Sequence, residues 1–393
     1  MTGTPAGAVG MRSLIDVRGS LDEVARDEWD ALTSDAGLFT SWRWLRAYED
    51  EPDVRAAYVL VRDPDGSLVG AAPCHAPVQS RHVLYDLTAM LPAHRADLPE
   101  PTEQLLAGGR RGYRADLLLA PGLTGVRRRE VVGRLVTGIR EHARATGRRA
   151  GMMYVPDGAV GKLRDAGVHD VLPLNADAVI RLPGRGPGDW LASLPRKRRW
   201  EVGQHRRAFT DGGWTLVEPD PASMLPRLGE LYCEVQRRHG AHDATPEAGA
   251  ALLAAQLEHL GDRAVLLVAS LAGDLAAFSL SFWHGDELYV RAVGFDYART
   301  SGGEYFVLSV YEPVARAYAA GASAVRLGMG SLHAKRLRGA SMELLWYVSL
   351  DGGHDDAVRA AATAEARRVL AAELLVDADR AVEIVAGAGT LRS

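Results

Sequence analysis

β-Branched and small apolar residues alternate along AAYVLVRDPDGSLVGAAPCHAPV (56–78), on either side of one polar turn at Asp63-Pro64-Asp65-Gly66. Successive side chains of an extended strand point to opposite faces, and Pro and Gly supply turn dihedrals, so this stretch predicts a β-hairpin. AVLLVASLAGDLAAFSLSFWHGDELYVRAVGF (264–295) predicts three strands, with turns at Ala272-Gly273-Asp274 and His284-Gly285-Asp286. Val61 corresponds to Val268 and Gly66 to Gly273, with the same spacing inside each copy.

Helical periodicity takes over after each hairpin. RREVVGRLVTGIREHARATGRRAGMMYVPD (128–157) reads as an amphipathic helix, a glycine at its C-terminal end, then a strand. GGEYFVLSVYEPVARAYAAGASAVRLGMGS (302–331) has the same layout, with Gly321 after the helix. The copies are offset by about 207 residues at the hairpins and about 174 at the helices, which puts about 33 extra residues in the first copy, near Gln79 to Leu123. Internal duplication accounts for this. The expected fold is α/β, with two tandem lobes at 13–185 and 186–350, each a mixed, mostly antiparallel sheet flanked by helices.

Shorter elements fill in the rest. LIDVR reads as a strand. SLDEVARDEWDAL predicts a helix capped by Ser20 with Glu23 three residues on, and FTSWRWLRAYED predicts another. LYCEVQRRHGAHDATPE predicts a helix from Leu231 to about His239 with Tyr232, Gln236 and His239 on one face, bordering an acceptor pocket or simply packing. Residues 1–12 are expected to be disordered, and 351–393 to hold one or two terminal helices.

Composition narrows the classes. The 393 residues carry 46 Lys and Arg against 50 Asp and Glu, a formal charge of −4, so any anion site must be local rather than a basic coat. Two distant cysteines make neither a disulfide framework nor a metal-ligand pair, and no metal site is expected. No secretory segment or membrane span is apparent, which fits a cytoplasmic protein, and the Arg, Ala and Gly bias fits a bacterial genome rich in G and C. DNA binding is disfavoured, because no helix-turn-helix or zinc pattern occurs.

LPRKRRWEVGQHRRAF (194–209) runs against the acidic balance, with Lys197, Arg198 and Arg199 adjacent. Three readings stay open: a clamp for substrate or donor phosphate, a solvated helix face, or a nucleic-acid platform. Trp190, Trp200 and Phe209 nearby stack on bases or pack.

The order hairpin, strand, loop, helix, strand resembles the GNAT acyltransferase fold. The doubled form, with a basic helix between copies, resembles its Fem-like branch, which includes aminoacyl-tRNA-dependent transferases. WLASLPRKRRWEVGQHRRAFTDGGWTL, YVRAVGFDYARTSGGEYFVLSVYEPVARAYAAGASAVRLGMGS and HAKRLRGASMELLWYV carry the resemblance. It implies GNAT-like lobes and amide formation by transfer of an aminoacyl group to a free amine of a peptide or small metabolite. The donor is aminoacyl-tRNA, or alternatively acyl-CoA, with no further cofactor required. A third alternative is a non-catalytic binder of tRNA or an envelope precursor.

For CoA the family pattern is Arg or Gln, two residues, Gly, one residue, then a small residue. RTSGGE supplies Arg299, Gly302 and Gly303, but Glu304 takes the last small position, as a modified anion loop or a helix-start charge. No nucleophile elbow occurs. By the resemblance, Lys335 lies near the reacting centre. Glu304 and Asp296 are the other catalytic candidates, and His284, Tyr289, Tyr305, His333 and Arg338 are expected to line the substrate. The second lobe is expected to hold the cleft.

Overall fold

The computed structural model describes residues 14–33, 37–78, 85–217 and 222–386. The disorder expected for residues 1–12 falls outside them. Both hairpins form. β1 (Leu14–Arg18) pairs with β2 (Val54–Arg62), which turns through Gly66 into β3 (Leu68–Pro77). β4 (Gln104–Ala107) and the short β5 (Leu118–Leu119) pair with β3. The helix Gly125–Ala145 then leads to β6 (Arg149–Pro156), parallel to β4, and the helix Asp157–Asp165 leads to β7 (Val171–Arg181).

The second copy repeats the series. β8 (Trp214–Val217), β9 (Ala264–Leu271), β10 (Asp274–His284) and β11 (Glu287–Phe295) form an antiparallel run. Consecutive helical segments from Gly303 to Ala319 lead to β12 (Ala324–Gly328), parallel to β11, and the helix Leu332–Arg336 precedes β13 (Ser341–Ser349). The chain continues through the helices Asp356–Leu374 and Ala378–Ile384 to β14 (Val385–Ala386), beside β13.

The lobes do not close separately. β7, from the first copy, pairs with β12, while β13, from the second, pairs with β6. β7 and β13 also pair with each other, giving one continuous sheet among the described residues. The boundary expected at 185/186 therefore divides the sequence but not the sheet. A balanced charge network sits at this exchange. Arg326 bonds Asp177 at 2.9 Å and Glu287 at 2.5 Å, while Arg114 and Arg181 bond Glu343 at 3.1 Å and 2.5 Å. Asp177 is fully buried, so its partners are what make ionisation there affordable.

Apolar periodicity explains how the helices sit. Gly125–Ala145 buries Val131, Val132, Leu135, Val136 and Ile139 on the sheet, about 2 kcal/mol for each large side chain. Gly138 is needed for that approach, because a Cβ there would lie 2.7 Å from Ile15 and Val59.

Two predicted helices are broken. Ser20 and Glu23 do form a capping box, but it closes a single 3₁₀ turn, and the helix proper runs from Arg26 to Leu32. In FTSWRWLRAYED the Ser41 side chain accepts from the Trp44 N–H, so a 3₁₀ turn at Leu38–Thr40 precedes a short helix, Trp42–Arg46. The helix predicted from Leu231 begins earlier, at Leu225, and ends at Arg238. No helix among the described residues is long and apolar enough to cross a membrane.

Candidate active site

β11 and β12 are hydrogen-bonded only where Glu287–Tyr289 faces Ala324–Arg326. Beyond Tyr289 they separate. On the other edge of β11, Leu280 pairs with Ala292 and Ser281 with Val290, which leaves Arg291 as the extra residue of a β-bulge. A bulge bends its strand and re-aims the side chain it carries. The gap holds a cavity of about 370 Å³, walled by β11 from Val290 to Phe295 and by residues between Leu327 and Lys335. Tyr85, Arg111 and Tyr113 close it from the first copy, and Tyr232 and Gln236 from the Leu225–Arg238 helix, with His239 just past its end. Tyr305 and Ser309 face it from a helix that is π-wound over Val307–Tyr311.

The cavity is cationic. Arg111, Arg291 and Lys335 line it, and among the described residues no lining side chain is Asp or Glu. Arg111 is paired with Glu51, which it shares with Arg110. Lys335 Nζ donates to the carbonyls of Leu327 at 2.7 Å and of Gly328 and Met329 at 3.0 Å. Burial lowers its pKa to about 8, against the opposing pull of Asp177 and Glu373. Gly328, Gly330 and Ser331 adopt positive φ, bending this turn. The N–H groups of Met329, Gly330 and Ser331, at the cavity wall, donate to no acceptor among the described residues. Free N–H groups on such a turn suit an anion or a developing oxyanion.

Tyr232, His239, Tyr305 and Lys335 are thus brought together, but all three ammonium protons of Lys335 are committed to carbonyls, which makes it a positioning residue. The other candidates lie outside the cavity lining. Asp296 accepts from Arg227 and from the Ala298 N–H, both at 3.1 Å, and Arg299 is drawn to Asp274 at 3.0 Å. His284 stays beside its turn, edge-on to Tyr289, whose hydroxyl donates to Glu287 at 3.0 Å. His333 Nδ1 bonds the Leu374 carbonyl at 2.8 Å, and the Arg338 guanidinium stacks 3.6 Å over the Phe306 ring.

Glu304 folds back on its own loop. Its carboxylate accepts from the N–H of Ser301 at 3.0 Å, the N–H of Gly302 at 2.9 Å and the Ser301 hydroxyl at 3.0 Å. Gly302, at φ 103, makes that turn possible, and Gly303 lies against His205. His205 belongs to the basic helix Arg196–Asp211 and stacks on Phe306 with ring centroids 5.2 Å apart. The basic helix is therefore docked on the start of the helix that borders the cavity. Within it Arg198 bonds Glu201 at 2.7 Å and Arg199 the Leu194 carbonyl at 2.7 Å, while Lys197 is exposed and Trp200 is 61% exposed.

Arg291, Arg111, Tyr85 and Tyr113 escaped the sequence reading. One signal was present for Arg291: a lone charge inside the apolar strand YVRAVGF. Among the described residues no group of three His, Cys, Asp or Glu side chains is placed to hold a metal ion.

Residues 196–336 match the model of the acetyltransferase (GNAT) domain family. No curated protein matches the chain in sequence. Similar solved structures include FemX, 12% identical over 83% of this chain and 96% of that one, with a TM-score of 0.57. L-PGS from Bacillus licheniformis is 10% identical over 86% of this chain and 96% of its own, with a TM-score of 0.52. The C-terminal DUF2156 domain of a protein named as a lysylphosphatidylglycerol synthetase, from Agrobacterium fabrum, is 14% identical over 88% and 96%, with a TM-score of 0.51. The chain therefore has the GNAT fold, and its residues 196–336 are similar to the acyltransferase domain of that family.

Proposed function

We propose that the chain forms an amide by moving an aminoacyl group from aminoacyl-tRNA to a free amine of a peptide or small metabolite. The observation that carries the choice of donor is the Glu304 carboxylate, bound to the Ser301 and Gly302 N–H groups. Those amides are what a CoA pyrophosphate would need, and a carboxylate already there repels it. A tRNA is held by its backbone phosphates instead. The exposed Arg196 and Lys197 lie on the helix that docks beside this loop.

In the transfer the amine nitrogen attacks the acyl carbon, a C–N bond forms and the ester C–O bond breaks. The amine proton ends on the leaving ribose oxygen. The free N–H groups of Met329, Gly330 and Ser331 face the carbonyl oxygen as it gains charge, and Lys335 holds their turn in shape.

A second reading, an acyl-CoA donor, has its own support. No carboxylate among the described residues lines the cavity to receive the ammonium of an aminoacyl group, and a plain acyl group needs none. Equilibrium binding of bulk tRNA, with a salt titration and CoA as competitor, separates the two. Salt-sensitive tRNA binding, indifferent to CoA and weakened about tenfold or more by Arg196→Ala with Lys197→Ala, is the expected result. Saturable CoA binding with no tRNA binding would replace the first reading by the second.

A further inference from the structure

Arg291, half-buried in the cavity wall, stands out among the cations around it. Arg326 has carboxylates on several sides, and Arg110 and Arg111 share Glu51. Arg291 has no ion-pair partner among the described residues. One of its terminal nitrogens donates to the Arg111 carbonyl at 2.8 Å, its guanidinium lies 5.4 Å from the centre of the Trp44 ring, and its Nε has no partner. The ionisable side chains acting on it are tyrosines: Tyr48, Tyr85, Tyr113 and Tyr232. Three of these, Tyr85, Tyr113 and Tyr232, line the cavity with it. Tyr113 is 8% exposed, and its hydroxyl also lacks a partner.

A half-buried guanidinium with no counter-ion and a buried, unpartnered Nε is costly, and a buried phenol without a partner adds to the cost. Both costs are relieved by one event, the arrival of an anion with oxygens to spare. A carboxylate suits the donors at hand: one oxygen for the open side of the guanidinium and one for the phenol. A phosphate dianion would bring a second charge and a third oxygen to the same few donors.

We infer that Arg291 and Tyr113 form the carboxylate subsite of the acceptor, so that the acceptor amine is an amino acid or short peptide with a free carboxyl group. This rests on the cleft between β11 and β12 being the acyl-transfer site. A cavity of about 370 Å³ has room for one such molecule beside the acyl group.

The test is binding to the purified full chain without any donor. The probes are the twenty common amino acids and the alanine dipeptides, each against its carboxamide, read by calorimetry and by melting temperature. At least one acid should bind at least tenfold more tightly than its amide. Arg291→Gln should remove that preference without weakening the amide, and Tyr113→Phe should reduce it several-fold. Equal binding of acids and amides, no binding of any acid up to 20 mM, or a preference unchanged in Arg291→Gln would each overturn the inference. If Arg291→Gln does not fold, Tyr113→Phe decides alone, an unchanged preference counting against the subsite. Because no donor is present, failure of the aminoacyl or acyl-CoA reading shows in the tRNA and CoA binding described above, and failure of the subsite only in these titrations.

Discussion

Lys335 Nζ lies 2.7 Å from the carbonyl oxygen of Leu327, across the turn that ends β12. With the Gly328 and Met329 carbonyls it completes a set of three acceptors for three N–H donors. Lys335→Met keeps the stem and removes every donor. It should cost about 2–4 kcal/mol in urea unfolding, since buried carbonyls then go unpaired. Lost turnover in Lys335→Ala consequently does not by itself mark the lysine as a reacting group, and the unfolding midpoint must be measured beside it.

His75 sets an acid limit on stability. Burial, with Arg110 and Arg111 adding to it, lowers its pKa to about 3. Between that value and about 6.5 the unfolded chain binds a proton that the folded chain does not. This contribution is intact above about pH 6.5 and is lost as pH falls, by up to about 1.4 kcal/mol per pH unit. His75→Leu should flatten the profile between pH 6.5 and 4 in urea titrations run at each pH.

Glu304→Ala should uncover the Ser301 and Gly302 amides. Inorganic pyrophosphate and CoA are expected to bind this variant at least tenfold more tightly than the parent, as read by calorimetry. Unchanged weak binding would mean that the loop is not an anion site even when vacated.

Asp177 joins Arg326 across the β7–β12 pairing at 2.9 Å. Asp177→Ala leaves a buried guanidinium short of a partner at the point where the two copies exchange strands. A loss of about 3–5 kcal/mol is expected, read from the shift of the urea midpoint. The conservative exposed change Lys197→Ala should leave that midpoint within about 0.5 kcal/mol.

The sequence by itself determined the elements and their repetition. Strand alternation, the Gly66 and Gly273 turns and the helix–glycine–strand series are local patterns, each fixed by dihedrals or by one face meeting the core. A lone Arg in YVRAVGF and the Glu in RTSGGE were visible as oddities, but spacing gives a charge no partner. Tertiary structure decided the rest. The β7 and β13 exchange depends on hydrogen bonds between residues far apart in the chain, and no local period encodes them. Arg111 and Tyr113 reach the second copy's cavity only because the sheet is continuous. Which charges are spent and which are open was settled there too. Asp296, Arg299 and Lys335 found partners in the fold, and Arg291, held at a bulge among tyrosines, found one carbonyl and, among the described residues, no carboxylate.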